Sequence, residues 1–160
     1  MIEAYNGKNL SVYFTEKPKI EVRCPEDAQT EEERQDIINK PFLCNTHFWV
    51  LLLDHKKSVT YKIEVEEGYT WDGASIPWLA WKVIGAPTNN QFLRASLVHD
   101  KMCENKECIN FDRSFSTNVF NALLERAGVN KFKRFLMKNS VGCFQTLACN
   151  WDLKIDAEKS

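Results

Sequence analysis

No apolar run in this 160-residue chain is long enough to cross a bilayer. The longest, Phe48-Trp49-Val50-Leu51-Leu52-Leu53, falls far short of the roughly twenty residues that a membrane-spanning helix needs. The opening Met1-Ile2-Glu3-Ala4-Tyr5-Asn6 lacks the basic start and apolar core of a signal peptide, so a cytoplasmic location and no membrane partner are expected. Excess charge of one sign is missing too. The 21 Lys and Arg against 22 Asp and Glu leave a formal charge of -1, which makes duplex nucleic acid an unexpected partner. Also absent are a Walker loop, a dinucleotide glycine fingerprint and a Gly-x-Ser-x-Gly nucleophile elbow. No internal repeat or low-complexity segment interrupts the chain.

What is there has the make-up of a folded globule. Hydrophobic residues at 44% and charged residues at 27% suit one core, and the length suits a single domain over residues 1–160. Six cysteines (Cys24, Cys44, Cys103, Cys108, Cys143 and Cys149) are expected as reduced thiols, given the expected cytoplasmic location.

The first half has strand character. Leu10-Ser11-Val12-Tyr13-Phe14 and Ile20-Glu21-Val22-Arg23-Cys24 are short β-prone runs with a turn expected at Lys17-Pro18. Residues 47–53 and 59–65 are the strongest strands. The polar Asp54-His55-Lys56-Lys57-Ser58 between them predicts an antiparallel hairpin. In the second strand Val59, Tyr61, Ile63 and Val65 alternate with Thr60, Lys62 and Glu64, which predicts one buried and one wet face. Between these strand regions, residues 25–40 form an exposed acidic insertion. Thr30 followed by Glu33 predicts a capped short helix within it.

After Gly68 the period changes to that of helices. Leu93, Leu97 and Val98 share a stripe, as do Ser116, Phe120, Leu123, Leu124 and Ala127, with Gly128 as a stop. Asn130 can cap a last helix, in which Phe132, Phe135 and Leu136 continue the apolar rhythm and the basic Lys131, Lys133, Arg134 and Lys138 form a solvated face. Residues 154–160 are expected to fray. Strands first and helices later predict an α+β fold, a small antiparallel sheet packed against about three C-terminal helices.

Two segments carry residues suited to chemistry. Tyr69-Thr70-Trp71-Asp72-Gly73-Ala74-Ser75-Ile76-Pro77-Trp78 reads as a tight loop at the end of the last strand, where Gly73 permits positive φ and Pro77 stiffens the exit. Arg94-Ala95-Ser96-Leu97-Val98-His99-Asp100 places a histidine and a carboxylate near the end of an apolar helix. Adjacent helical residues do not face each other, so His99 and Asp100 are not by themselves a base and its orienting acid. His99, Asp100 and Asp72 could instead hold a divalent metal, or His99, Cys103 and Cys108 with Asp72 a zinc ion. Trp71 and Trp78, with Arg94 and Arg113, are candidate binding residues for a small ligand, against core packing for the tryptophans.

Asp72-Gly73-Ala74-Ser75-Ile76-Pro77 followed by the later His99-Asp100 resembles the DUF1353 family, small proteins of phages and bacteria with a DGASIP loop and an HD pair. The likeness runs from about Phe48 to Val129. One position departs from it: the family's Arg-x-x-Ala-Asp-x-x-Phe pattern keeps Arg113 and Phe120 here but has Ser116-Thr117 in place of Ala-Asp. The resemblance implies a phage or prophage origin, with the host cytoplasm or the virion as location and a host or phage protein as partner. It makes Asp72, Ser75, His99 and Asp100 one joint site. Two roles follow for that site. It is a polar network holding the fold of a binding protein, or it is the centre of a His-based or metal-assisted hydrolase.

Overall fold

A computed structural model describes residues 1–73, 90–106 and 108–147, with side chains at all of these but 90, 91 and 140–147. The chain divides into two compact units, Met1–Gly73 and Ala74–Ser160. The first unit joins its strands through one 3-10 turn (Pro25–Asp27), one short α-helix and loops, and the second has helices and no strand among its described residues, so the class is α+β.

The first unit holds two antiparallel sheets where the sequence suggested one. Strands β1 (Ile2–Asn6), β2 (Leu10–Phe14), β5 (Phe48–Asp54) and β6 (Val59–Val65) form a four-stranded sheet in the order β1-β2-β5-β6. Strands β3 (Ile20–Val22), β4 (Phe42–Cys44) and β7 (Tyr69–Trp71) form a three-stranded one in the order β3-β4-β7. The chain therefore changes sheets after the Lys17-Pro18 segment.

The expected hairpin is β5 and β6, registered Phe48↔Val65 through Asp54↔Val59. Period-two burial sets its inner face. Phe48, Val50 and Leu52 on β5 and Tyr61, Ile63 and Val65 on β6 are buried with Val12 and Phe14 of β2. The Phe14 and Phe48 rings meet edge to face at 5.4 Å. At the hairpin's end the buried Asp54 turns inward, and its Oδ1 accepts from the backbone N–H groups of Lys56 (2.9 Å) and Lys57 (3.2 Å). That is the local bonding by which aspartate closes turns.

The acidic insertion contains the capped helix α1 (Glu31–Asn39). Thr30 Oγ1 accepts from Glu33 N–H, and Glu33 Oε2 reaches back to Gln29 N–H at 2.8 Å. Ile37 is the helix's one buried residue.

In the second unit α2 (Asn90–Asn105) packs on α3 (Arg113–Arg126), and α3 on α4 (Lys131–Leu147). Asp112 caps α3 by accepting from Phe115 N–H at 2.7 Å. In α4 the expected apolar rhythm is corrected. Met137 is buried, whereas Phe132 and Phe135 stand 66% and 62% exposed.

Two glycines at positive φ bracket β7. Gly68 (φ 90) closes a turn in which Tyr69 N–H donates to Glu66 C=O at 3.1 Å, and open space surrounds its missing Cβ. Gly73 (φ 67) has no such room, because a Cβ there would lie 2.7 Å from the Phe42 ring. Gly68→Ala should therefore cost about 1–2 kcal/mol from backbone strain alone. Gly73→Ala should cost about 1–3 kcal/mol more, because it also displaces Phe42. Urea unfolding of the two variants checks the order, and equal losses would contradict the contact.

Candidate functional site

The helix stripe that carries His99 is apolar on nearly every side. Phe92, Leu93, Ala95, Leu97, Val98 and Met102 of α2 are all buried, the pattern of a helix enclosed by its surroundings. His99 shares that burial: the residue is 1% exposed and its side chain 0%. Its ring lies 5.3 Å from that of Phe120 on α3, tilted by 59°. Thus two positions marked by the family resemblance, the histidine of the HD pair and the phenylalanine of the following helix, meet in the core.

Asp100 sits half-buried beside it, with Oδ1 3.9 Å from His99 Nδ1. That distance lies beyond hydrogen-bond range, as expected for neighbours that diverge around a helix. Cys103, one turn on, places Sγ 3.9 Å from both ring nitrogens. Those nitrogens are about 2.2 Å apart across an imidazole, so a sulfur equidistant from them lies along neither lone-pair axis. Proton transfer needs alignment with one nitrogen. The contact is sulfur against ring, not a thiol with its base.

The neighbours of this pair are also enclosed. Lys101 is 5% exposed, its Nζ 3.8 Å from Glu104 Oε2. On α3, at the two positions where the family pattern has Ala-Asp, Ser116 and Thr117 are buried, and Thr117 Oγ1 donates to Arg113 C=O at 3.0 Å. Arg113 itself is half-exposed and Arg94 exposed.

The other candidates lie elsewhere. Asp72 is exposed in the first unit, just beyond β7. Trp71 is 2% exposed, stacked on Tyr69 at 5.7 Å and tilted against Phe42 at 5.6 Å, opposite which it pairs in the sheet. It packs as core of the smaller sheet. Ser75 and Trp78 fall outside the described residues. Among the described residues no three His, Cys, Asp or Glu side chains gather as a metal site would need, and no helix is long and apolar enough to cross a membrane.

One serine–histidine contact was not apparent from the sequence, because its partners are 44 residues apart. Ser11 Oγ lies 2.8 Å from His55 Nε2 and donates to Asn6 Oδ1 at 2.9 Å. A hydroxyl has one proton. With it on Asn6, His55 must donate to Ser11 and does not serve as its base. Ser11 is moreover 1% exposed. The trio ties the β1–β2 hairpin to the β5–β6 turn.

Thiol reactivity tests the reading of Cys103. The hydrogen bond from Cys24 Sγ to Glu26 Oε2 (3.2 Å) and the charge of that carboxylate raise the Cys24 thiol pKa. Thiolate is the nucleophile, so at neutral pH Cys24 should alkylate more slowly than Cys108, which is also exposed. Glu26→Gln should narrow the gap. Cys103 should react no faster than Cys108. Peptide-resolved iodoacetamide labelling checks all three, and a fast Cys103 would show that its thiol is activated.

Comparison with known proteins places this arrangement in a family. Over 45 residues the chain is 47% identical to the uncharacterised protein y4jT of Sinorhizobium fredii. The match covers 28% of this chain and 13% of that protein, so the chain spans only a small part of that relative's length. No solved structure matches the chain. A family profile described as "Protein of unknown function (DUF1353)" matches residues 50–141, more than half of the 160, and the protein belongs to that family.

Proposed function

We propose that this protein acts by binding another macromolecule, as an accessory or host-interaction factor of phage type, and that its His-Asp segment holds the fold together instead of catalysing a reaction. The observation that carries this reading is the enclosure of His99, whose side chain has 0% exposure. A general base or metal ligand must come within hydrogen-bond or coordination reach of the reacting molecule. An imidazole packed on Phe120 in the middle of a buried helix stripe offers no such approach. The off-axis Cys103 and the out-of-range Asp100 supply neither an activated nucleophile nor an orienting acid at that ring.

What the pair does offer is specificity of packing. A buried polar side chain tolerates few arrangements, because each alternative strands its donors and acceptors. The polar segment then determines how α2 seats on α3, and binding is left to the exposed surface.

The test is stability. His99→Ala should lower unfolding free energy by about 1–3 kcal/mol, as the loss of a buried polar side chain does. The measurement is urea denaturation. A His99→Ala protein as stable as the parent would overturn the structural reading and restore the catalytic one.

A further inference from the structure

The first two turns of α4 depart from ordinary helix design. Lys131, Lys133 and Arg134 stand at its N-terminal end and Lys138 one turn on, with no carboxylate anywhere in Lys131–Leu147. Cations at this end oppose the positive pole of the helix dipole, where acidic residues are the stabilising choice. Arg134 is accounted for by its 3.1 Å pair with Glu125 of α3. Lys131 and Lys138 are exposed.

The same turns expose Phe132 and Phe135, which after Met1 are the most exposed large apolar side chains among the described residues. At 100° per residue, Phe132, Phe135, Lys131, Lys138 and the exposed Asn139 fall within about 120° of arc. Met137 points the opposite way and is buried. The face toward solvent is thus a pair of aromatic tips beside two lysines, on a convex helix.

We propose that this face of α4 is a peripheral docking site for an anionic lipid surface, with Phe132 and Phe135 entering the headgroup region and Lys131 and Lys138 meeting the phosphates. It is a second binding role, separate from the macromolecular one above, and it departs from the sequence-based expectation of no membrane partner. Charge complementarity requires an anionic partner. Two features favour lipid over an acidic protein. A convex helix with projecting rings needs a groove on a protein but sinks directly into a deformable interface. Its exposed charges are also of one sign only, whereas protein interfaces gain register and selectivity from patterned charge of both signs. Lying on a bilayer also requires no spanning segment, so the absence of a long apolar run does not bear on it.

The experiment is sedimentation of the full chain with vesicles of mixed phosphatidylcholine and phosphatidylglycerol, against vesicles of phosphatidylcholine alone. The parent should pellet with the anionic vesicles only, and less so as salt is raised. Phe132→Ser/Phe135→Ser and Lys131→Glu should each weaken the partition, the double variant by roughly tenfold or more. Lys131→Glu should also keep or raise Tm, since it restores the favoured charge at the helix start. A loss of binding with undiminished Tm cannot be a loss of fold. The proposal is overturned if the parent ignores anionic vesicles at low salt, or if the Phe132→Ser/Phe135→Ser protein still binds them. It is equally overturned if poly-glutamate is bound with the same Lys131 dependence while vesicles are not.

Discussion

Strand β5 has a partner along each edge, and its strict alternation constrains everything else in the first unit. Phe48, Val50, Leu52 and Asp54 turn inward while Trp49, Leu51 and Leu53 turn to the half-exposed face. A slip of one residue against β2 or β6 would exchange those sets and turn Phe48, Val50 and Leu52 outward. The register is secured at its end by Asp54, which bonds the turn backbone, and across the sheet by Ser11, which joins Asn6 to His55. With β5 and β6 placed, a turn of three residues delivers the chain to β7. There Phe42 stands opposite Trp71 and closes against Gly73, at the start of the Asp72-Gly73 loop.

The helical unit is governed by a different constraint, the cost of enclosing polar groups. Within α2 the buried stripe includes Ser96, His99 and Lys101 among its apolar residues. Ser96 returns its proton to Leu93 C=O, Thr117 of α3 does the same to Arg113, and His99 lays its ring on Phe120. Short side chains thus satisfy themselves on their own helix, and the imidazole packs against a ring of α3. A histidine followed by aspartate suggests chemistry when written as letters. The same pair diverging around an enclosed helix suggests architecture.

Where periodicity was strong, the sequence was legible. The β5–β6 hairpin, the capping box of α1 and the positive φ of Gly73 all follow from local pattern and were expected from it. Of the short strands, β2 and β3 were expected, but β1, β4 and β7 were not. β4 and β7 have three residues each, too few to display a period, and β1 is interrupted by an irregularity between Glu3 and Tyr5. The division into two sheets depends on which strands pair, which no single strand encodes. At the candidate site, the apolar flanks of His99 hinted at burial, but its contact with Phe120, 21 positions away, is tertiary. Phe132 and Phe135 were misleading because aromatic residues at helical spacing usually face a core. Here Met137 takes that place.

Helix ends make the case of α4 instructive. α1 opens with Glu31, Glu32 and Glu33 behind a threonine cap, and α3 opens behind Asp112 and closes with Arg126. These charges sit as the helix dipole favours, a contribution of about 0.3–1 kcal/mol per well-placed group, although Arg113 puts one cation into the first turn of α3. α4 keeps a good cap, since Asn130 Oδ1 accepts from Lys133 N–H at 2.9 Å, yet fills its first turn with cations. α1 therefore follows the electrostatic rule at its start, α3 sets an acidic cap beside one cation, and α4 breaks the rule with three cations. It breaks it where aromatic side chains are also turned outward against the hydrophobic effect. Two independent sacrifices on one exposed face are hard to assign to folding, because neither helps the folded state. Departures from local consistency concentrate where a protein meets something else, and an anionic, partly apolar surface is the environment in which both become favourable.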